Sequence, residues 1–405
     1  MDAHSFLKPV KESFMLTQRT RREFLSAGAV TVFGMALSRT ARGASPKIEV
    51  LERRIISWKP PLYHGWPTLT RRKNGELLLV FSGGRESHVC PFGRVELMRS
   101  HDDGQSWGWP QVLIDGPIDD RDAGVVETAK GSILVTTFTS LAYEAELQKM
   151  ESRVLPPGKQ KLEHELLLME WRAAHNRINA EQRKQELGSW MIRSTDGGVT
   201  WSARYSVPLN SPHGPVVLRD GRLIYAGKAL WKDDRVGVCE SQDDGVTWDW
   251  LATIPARPSD DPKNYHELHA VEASDGTLLA HIRNHNSPNA GETLQSESTD
   301  GGRTWSVPHS IGVWGLPSHL LRLRDGRLLM SYGHRRAPLG NLARVSADHG
   351  RTWSESLTIN DDAKFGDMGY PSTVECADGT LVTVWYELLA GSPNAQLRQA
   401  RWRLG

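Results

Sequence analysis

The chain has 405 residues, with 49 Lys and Arg against 48 Asp and Glu, a formal net charge of +1 and 24% charged residues. That balance excludes a nucleic-acid binder that works through bulk positive charge, and the length is enough for a large buried core. Three cysteines, Cys90, Cys239 and Cys376, are too few and too scattered for a disulfide framework or a cysteine metal site, and they read as buried or partly buried thiols.

The first expected element lies outside the fold. Thr20-Arg21-Arg22-Glu23-Phe24-Leu25 reads as a twin-arginine signal, followed by an uncharged run from Phe24 to Leu37. The run is too short to span a bilayer, and the small residues of Ala41 to Ala44 suit a cleavage site. Residues 1–44 are therefore expected to be a signal peptide, and residues 45–405 an exported chain with no stable membrane anchor. The location would be periplasmic or secreted.

Two repeats follow. Polar turns with glycine precede aliphatic runs at KNGELLLV (Gly75), AKGSILVT (Gly131), RDGRLIYA (Gly221), SDGTLLAH (Gly276), RDGRLLMS (Gly326) and ADGTLVTV (Gly379). Apolar runs joined by a Gly turn make β-hairpins, and a period near 50 residues with short strands points to a propeller. The second repeat, S-x-D-x-G-x-[ST]-W, begins at Ser100, Ser194, Ser241, Ser298 and Ser346. A calcium loop would need several acidic ligands in each copy; here one Asp recurs, suited to bonding its own turn, with a Trp for packing. The phrase reads as a hairpin staple between the third and fourth strands of a blade. The segment KIEVLERRIISW is expected to supply the outer strand that closes the ring. The fold class is all-β, a six-bladed β-propeller.

The interval from Gly131 to Gly221 is the long one. It holds residues 141–187, rich in Glu, Lys, Gln, Leu and Ala and broken by Pro156-Pro157-Gly158. The spacing predicts a helical hairpin inserted in blade 2, with Leu162, Leu166, Met169 and Ile178 on one face.

Strand direction then locates a mouth. Residues seven to ten before each turn glycine, and seven to ten after it, belong to the same end of the ring. The first set is Gly65-Trp66, Arg121-Asp122, His213, Glu267, His319 and Tyr370; the second is Arg85 with Glu86, Lys228, Arg283, Arg335 and Glu387. Buried strand ends need small or apolar residues. A ring of arginines with carboxylates points instead to an anionic ligand held by charge-assisted hydrogen bonds.

These motifs resemble the sialidase (neuraminidase) superfamily, whose blades carry the same Asp-box phrase. HELHAVEASDGTLLAHIRN supplies Glu267 and Arg283 in the family spacing, GYPSTVECADGTLVTVWYE supplies Tyr370 and Glu387, and GHRRAP supplies Arg335 and Arg336. The resemblance implies a retaining exo-glycosidase. Tyr370 would be its nucleophile and Glu267 the base of that nucleophile, with arginines on the carboxylate of a terminal sialic acid. Tyrosine suits an anomeric carbon that already bears a carboxylate, because a neutral phenol is not repelled by it.

Two family features are absent. Gly65 stands where the first arginine is expected, and the loop GGRESHVCPFGRVEL has no aspartate to serve as acid/base. By position, Arg85 or Arg121 could replace the arginine, and Asp122, Glu86 or His88 the acid. Alternative readings are a hydrolase or lyase acting on a different acidic saccharide, with Tyr370 and His213 abstracting a proton, or a carbohydrate-binding propeller without catalysis. Unsaturated products would mark the lyase, and binding without product the lectin. The expected partner is an anionic glycan; neither a metal nor a cofactor is expected.

Overall fold

A computed structural model describes residues 46–405 apart from positions 58 and 60; the signal segment expected at 1–44 lies outside the described residues. Twenty-four strands form six four-stranded antiparallel sheets. Blade 1 is β2 to β5 (Tyr63–Arg71, Leu77–Arg85, Arg94–Ser100, Gln111–Ile114). Blade 2 runs from β6 (Asp119–Glu127) to β9 (Tyr205–Ser206), blade 3 from β10 (Val216–Val217) to β13 (Asp249–Thr253), and blade 4 from β14 (Tyr265–Glu272) to β17 (His309–Trp314). Blade 5 runs from β18 (Ser318–Arg322) to β21 (Leu357–Asn360). Blade 6 joins β22 (Met368–Glu375), β23 (Leu381–Leu388) and β24 (Ala395–Leu404) to β1 (Ile48–Ile55). The N-terminal strand thus closes the ring on the C-terminal one, as KIEVLERRIISW predicted.

Inner strands are buried on both faces, because each blade packs against two others. Leu77 to Phe81 are fully buried, and apolar clusters run between adjacent blades. All six turn glycines adopt φ between 85° and 95°, a region that L side chains resist. The Asp boxes occupy the third-to-fourth-strand turns and repeat one hydrogen-bond pattern. In the first, Ser100 Oγ donates to Asp102 (2.8 Å), Asp102 accepts from the Ser106 amide (2.8 Å) and hydroxyl (2.6 Å), and the Gly104 amide donates to Ser100 Oγ (2.9 Å). Trp107 then donates to Gln399 of the neighbouring blade (2.7 Å). The box is a staple.

The insertion leaves blade 2 between β7 (Ile133–Ser140) and β8 (Ser189–Ser194) as three helices, α1 (Tyr143–Ser152), α2 (Lys159–His175) and α3 (Ala180–Gln185). The expected face of α2 is corrected. Leu162, Leu166 and Met169 are 49–61% exposed, whereas Trp171 and Ala174 are buried. Trp171 packs with Tyr143, Leu147, Ile118 and Cys90, flanked by Leu167, Leu168 and Ile178. Two apolar rows run along this helix, and periodicity alone does not say which faces inward.

Candidate active site

One backbone feature organises the mouth. Trp66, Asp122, Glu267 and Tyr370 each lie nine residues before their turn glycine, and each has left-handed φ, from 44° to 54°. Each falls within a register shift between the first and second strands of its blade. A β-bulge re-aims a side chain, and a left-handed non-glycine residue costs about 1–3 kcal/mol, so the strain marks positions held for a purpose other than stability. The two remaining blades have Pro212 and Pro317 at the same offset, and proline cannot take positive φ.

The structure brings Tyr370, Glu267 and Arg283 together. Tyr370 Oη donates to Glu267 Oε1; Arg283 Nη1 donates to Glu267 Oε2 and, at 3.1 Å, to Tyr370 Oη. Burial would raise the Glu267 carboxyl, but the Arg283 charge and the bonds from Tyr370 and Arg283 outweigh it and leave it near 2. Burial and the adjacent Glu267 charge push the Tyr370 phenol well above its ordinary value. The trio is a phenol aimed at a carboxylate whose charge is held by a guanidinium.

Asp122 is 8% exposed, and burial lifts its carboxyl to about 7. Arg121 opposes that rise and Glu267 adds to it. Asp122 is therefore an acid that keeps its proton close to neutral pH. The Arg121 guanidinium lies 4.6 Å over the Trp66 ring and 3.6 Å from Asp119. Arg335 donates from Nε to the Met368 carbonyl (3.0 Å) and from Nη2 to the Tyr386 hydroxyl (3.3 Å).

A second polar group was not anticipated from sequence. Asp367 accepts from the hydroxyls of Tyr63 (3.1 Å) and Tyr386 (3.2 Å) and pairs with His88 Nδ1 (3.1 Å). Tyr63 and Asp367 both lie twelve residues before their turn glycine, just beyond the seven-to-ten window that located the others. Tyr386 lies seven residues after its turn glycine and Glu387 eight, so spacing does not separate them. Adjacent strand residues face opposite ways, and the one facing the mouth is the tyrosine.

Other expected residues are held by neighbours of their own, and those that burial closes off are corrections. Glu387 is buried against Arg398 (2.9 Å) and Trp385 (2.9 Å). Arg85 is fully buried and gripped by both oxygens of Asp119 (2.5 and 3.1 Å), so its charge is already spent. Glu86 accepts from Trp171 Nε1 (3.1 Å) and ties blade 1 to the insertion. Arg336 is exposed, 3.9 Å over Trp314. His213 is buried among His269 and His319, with ring centroids 5.3 and 5.0 Å away, so the Tyr370–His213 proton-abstraction pair finds no support. Lys228 donates to the Lys263 carbonyl (2.7 Å) beside His266. Gly65 cannot simply be restored to arginine, since a Cβ there would stand 2.8 Å from Tyr63 Cε1. Among the described residues no group of three or more His, Cys, Asp or Glu is arranged to hold a metal ion, and no helix is long and apolar enough to cross a membrane.

Comparison with known proteins agrees with the propeller fold. A family model described as a BNR repeat-like domain matches residues 160–383. A sialidase from Bacteroides fragilis is 23% identical over 352 residues, which cover 79% of this chain and 59% of that protein; the chain thus spans little more than half of its relative. Among solved structures, a protein of unknown function from Dyadobacter fermentans superposes with a TM-score of 0.70 at 20% identity, covering 88% of this chain and 99% of that one. The Trypanosoma rangeli sialidase in complex with sialic acid superposes at 0.56 and 18% identity, covering 84% and 55% respectively.

Proposed function

The chain belongs to the BNR repeat-like family of sialidase-type propellers, and from that premise we propose that it is an exported exo-glycosidase that removes a terminal sialic acid or related acidic sugar from glycans. The observation that carries the reading is the contact of Tyr370, Glu267 and Arg283. Tyr370 attacks the anomeric carbon while Glu267 takes its proton. An unliganded Glu267 near 2 is a weak base, and Arg283 is the reason. A substrate carboxylate draws on the same guanidinium, so binding the anion raises the basicity of Glu267 as the phenol comes within reach of carbon.

Arg335 and Arg121 complete the anion site, Arg121 in place of the arginine that Gly65 cannot supply. Trp66 lies beneath Arg121 as an aromatic wall. Asp122, protonated near neutral pH, is a proton or hydrogen-bond donor to the sugar. The hydrogen-bond partners of Tyr370 are Glu267 and Arg283, the pair the hydrolytic reading uses, and not the His213 that the elimination reading calls for. Turnover of a fluorogenic α-ketoside of N-acetylneuraminic acid, abolished by Tyr370→Phe, is the expected result. No release from any α-ketosidic sialoside overturns the assignment.

A further inference from the structure

A leaving oxygen must receive a proton, and the blade 1 loop has no aspartate to give it. That loop does carry His88, whose imidazole is 48% exposed. Asp367, three residues before Tyr370, reaches it from blade 6. His88 Nδ1 lies 2.8 Å from Tyr63 Oη and 3.1 Å from Asp367 Oδ1, and the Tyr63 hydroxyl is itself 3.1 Å from both Asp367 oxygens. A proton on Nδ1 satisfies all three groups: Nδ1–H donates to Asp367 or to Tyr63 Oη, and the Tyr63 O–H donates to the carboxylate. A bare Nδ1 would instead face Asp367 acceptor to acceptor. Nε2 has no hydrogen-bond partner among the described residues, and in the imidazolium form it carries the second proton. Trp66 holds the ring edge-on at 5.0 Å, Tyr386 donates to Asp367 from the other side, and Arg121 and Arg85 are the cations whose field reaches the imidazole.

We propose that His88, oriented by Asp367 and Tyr63, is the acid/base catalyst for the leaving group; the inference rests on the hydrolytic reading above. In the first half-reaction Tyr370 Oη bonds to the anomeric carbon and its proton passes to Glu267. The glycosidic C–O bond breaks, and the departing oxygen takes the Nε2 proton of the His88 imidazolium, a form that burial disfavours and the Asp367 carboxylate favours. In the second, water gives a proton to Nε2 and its oxygen bonds to the anomeric carbon. Tyr370 leaves and recovers its proton from Glu267. Asp367 is a positioning residue that fixes the tautomer and stabilises the imidazolium. Asp122 then serves the sugar rather than the leaving group.

The test compares two α-ketosides of N-acetylneuraminic acid, one with a 4-methylumbelliferyl and one with a methyl aglycone. The aryl group departs without help and the alkoxide does not. His88→Ala is expected to lower kcat/KM on the methyl ketoside by roughly 10²–10⁴-fold, and on the aryl ketoside by about tenfold or less. Added imidazole is expected to restore part of the loss, and Asp367→Asn to reproduce the leaving-group dependence more weakly while shifting the pH profile. Asp122→Asn is expected to affect both substrates alike. Equal losses on the two substrates for His88→Ala, or leaving-group dependence in Asp122→Asn instead, overturn the assignment. If the wild-type protein releases neither aglycone, the hydrolytic reading fails first and takes this proposal with it. Turnover that Tyr370→Phe abolishes, without a His88 effect, defeats this proposal alone.

Discussion

The two ends of the propeller are built on opposite rules. At the Asp-box end the same short phrase makes the same hydrogen bonds in blade after blade: Ser to Asp, the following Ser or Thr hydroxyl to that Asp, glycine amide back to Ser. At the mouth the backbone also repeats, with four left-handed bulges at one offset, but the side chains are a tryptophan, an aspartate, a glutamate and a tyrosine. Repetition at one end serves folding, and variation at the other supplies chemistry. The scaffold tolerates the strain of the mouth because the far end and the buried inner strands fix the bulges in place.

The contrast can be broken most sharply at Tyr370. Tyr370→Phe is expected to lower kcat by roughly 10⁴-fold or more, the scale on which loss of a nucleophile is felt. The unfolding midpoint should hardly change, because Arg283 still satisfies Glu267. A large loss of stability without loss of rate would put Tyr370 in the scaffold. Arg121→Ala is expected next, with KM raised roughly ten- to a hundredfold and kcat much less affected. Steady-state kinetics on the aryl ketoside separates the two constants.

Asp122 offers a pH-dependent test. Its folded value near 7 lies above the ordinary carboxyl value of 3.8, so the folded protein keeps a proton that the unfolded chain releases. The stability this contributes is full below about pH 4 and is lost as pH rises through 7. Asp122→Asn should therefore stabilise the protein relative to wild type at pH 8, by on the order of 1–3 kcal/mol, and have little effect at pH 4. Denaturant unfolding at the two values checks it. The buried histidines behave oppositely. Burial lowers His319 to about 3 and pulls His213 and His269 well below 6.5. They stay neutral in the fold while the unfolded chain protonates, so stability should fall as pH drops below 6.5. His319→Gln should flatten that slope.

The smallest effect is expected at the repetitive end. Asp102→Ala removes bonds to Ser100 and Ser106 at a partly exposed turn and should cost on the order of 1 kcal/mol. It should leave kcat and KM unchanged.

The same division explains what could be read in advance. Six glycines and five Asp boxes carry the fold openly, because each copy obeys a local rule of turn geometry. Glu267 and Tyr370 were legible because they sit at a fixed distance from those turns. Asp367 and Tyr63 lie three residues further out and belong to the same end, yet no repeat marks them. Arg85 and Arg121 share an offset from their turn glycines, after and before, but only a fold shows that Asp119 neutralises Arg85. Glu387 and Tyr386 differ by one position, and strand pleating decides which faces the mouth. Pairing and facing are tertiary facts, whereas spacing is a sequence fact.

The central claim is that Tyr370 bonds covalently to the sugar. A 3-fluorosialosyl fluoride loses its fluoride readily but hydrolyses slowly once attached, so the adduct should accumulate. Peptide mass spectrometry after incubation is predicted to find the fluorosialosyl group on Tyr370, and not in Tyr370→Phe. An adduct on another residue, or none while fluoride is released catalytically, would contradict the account.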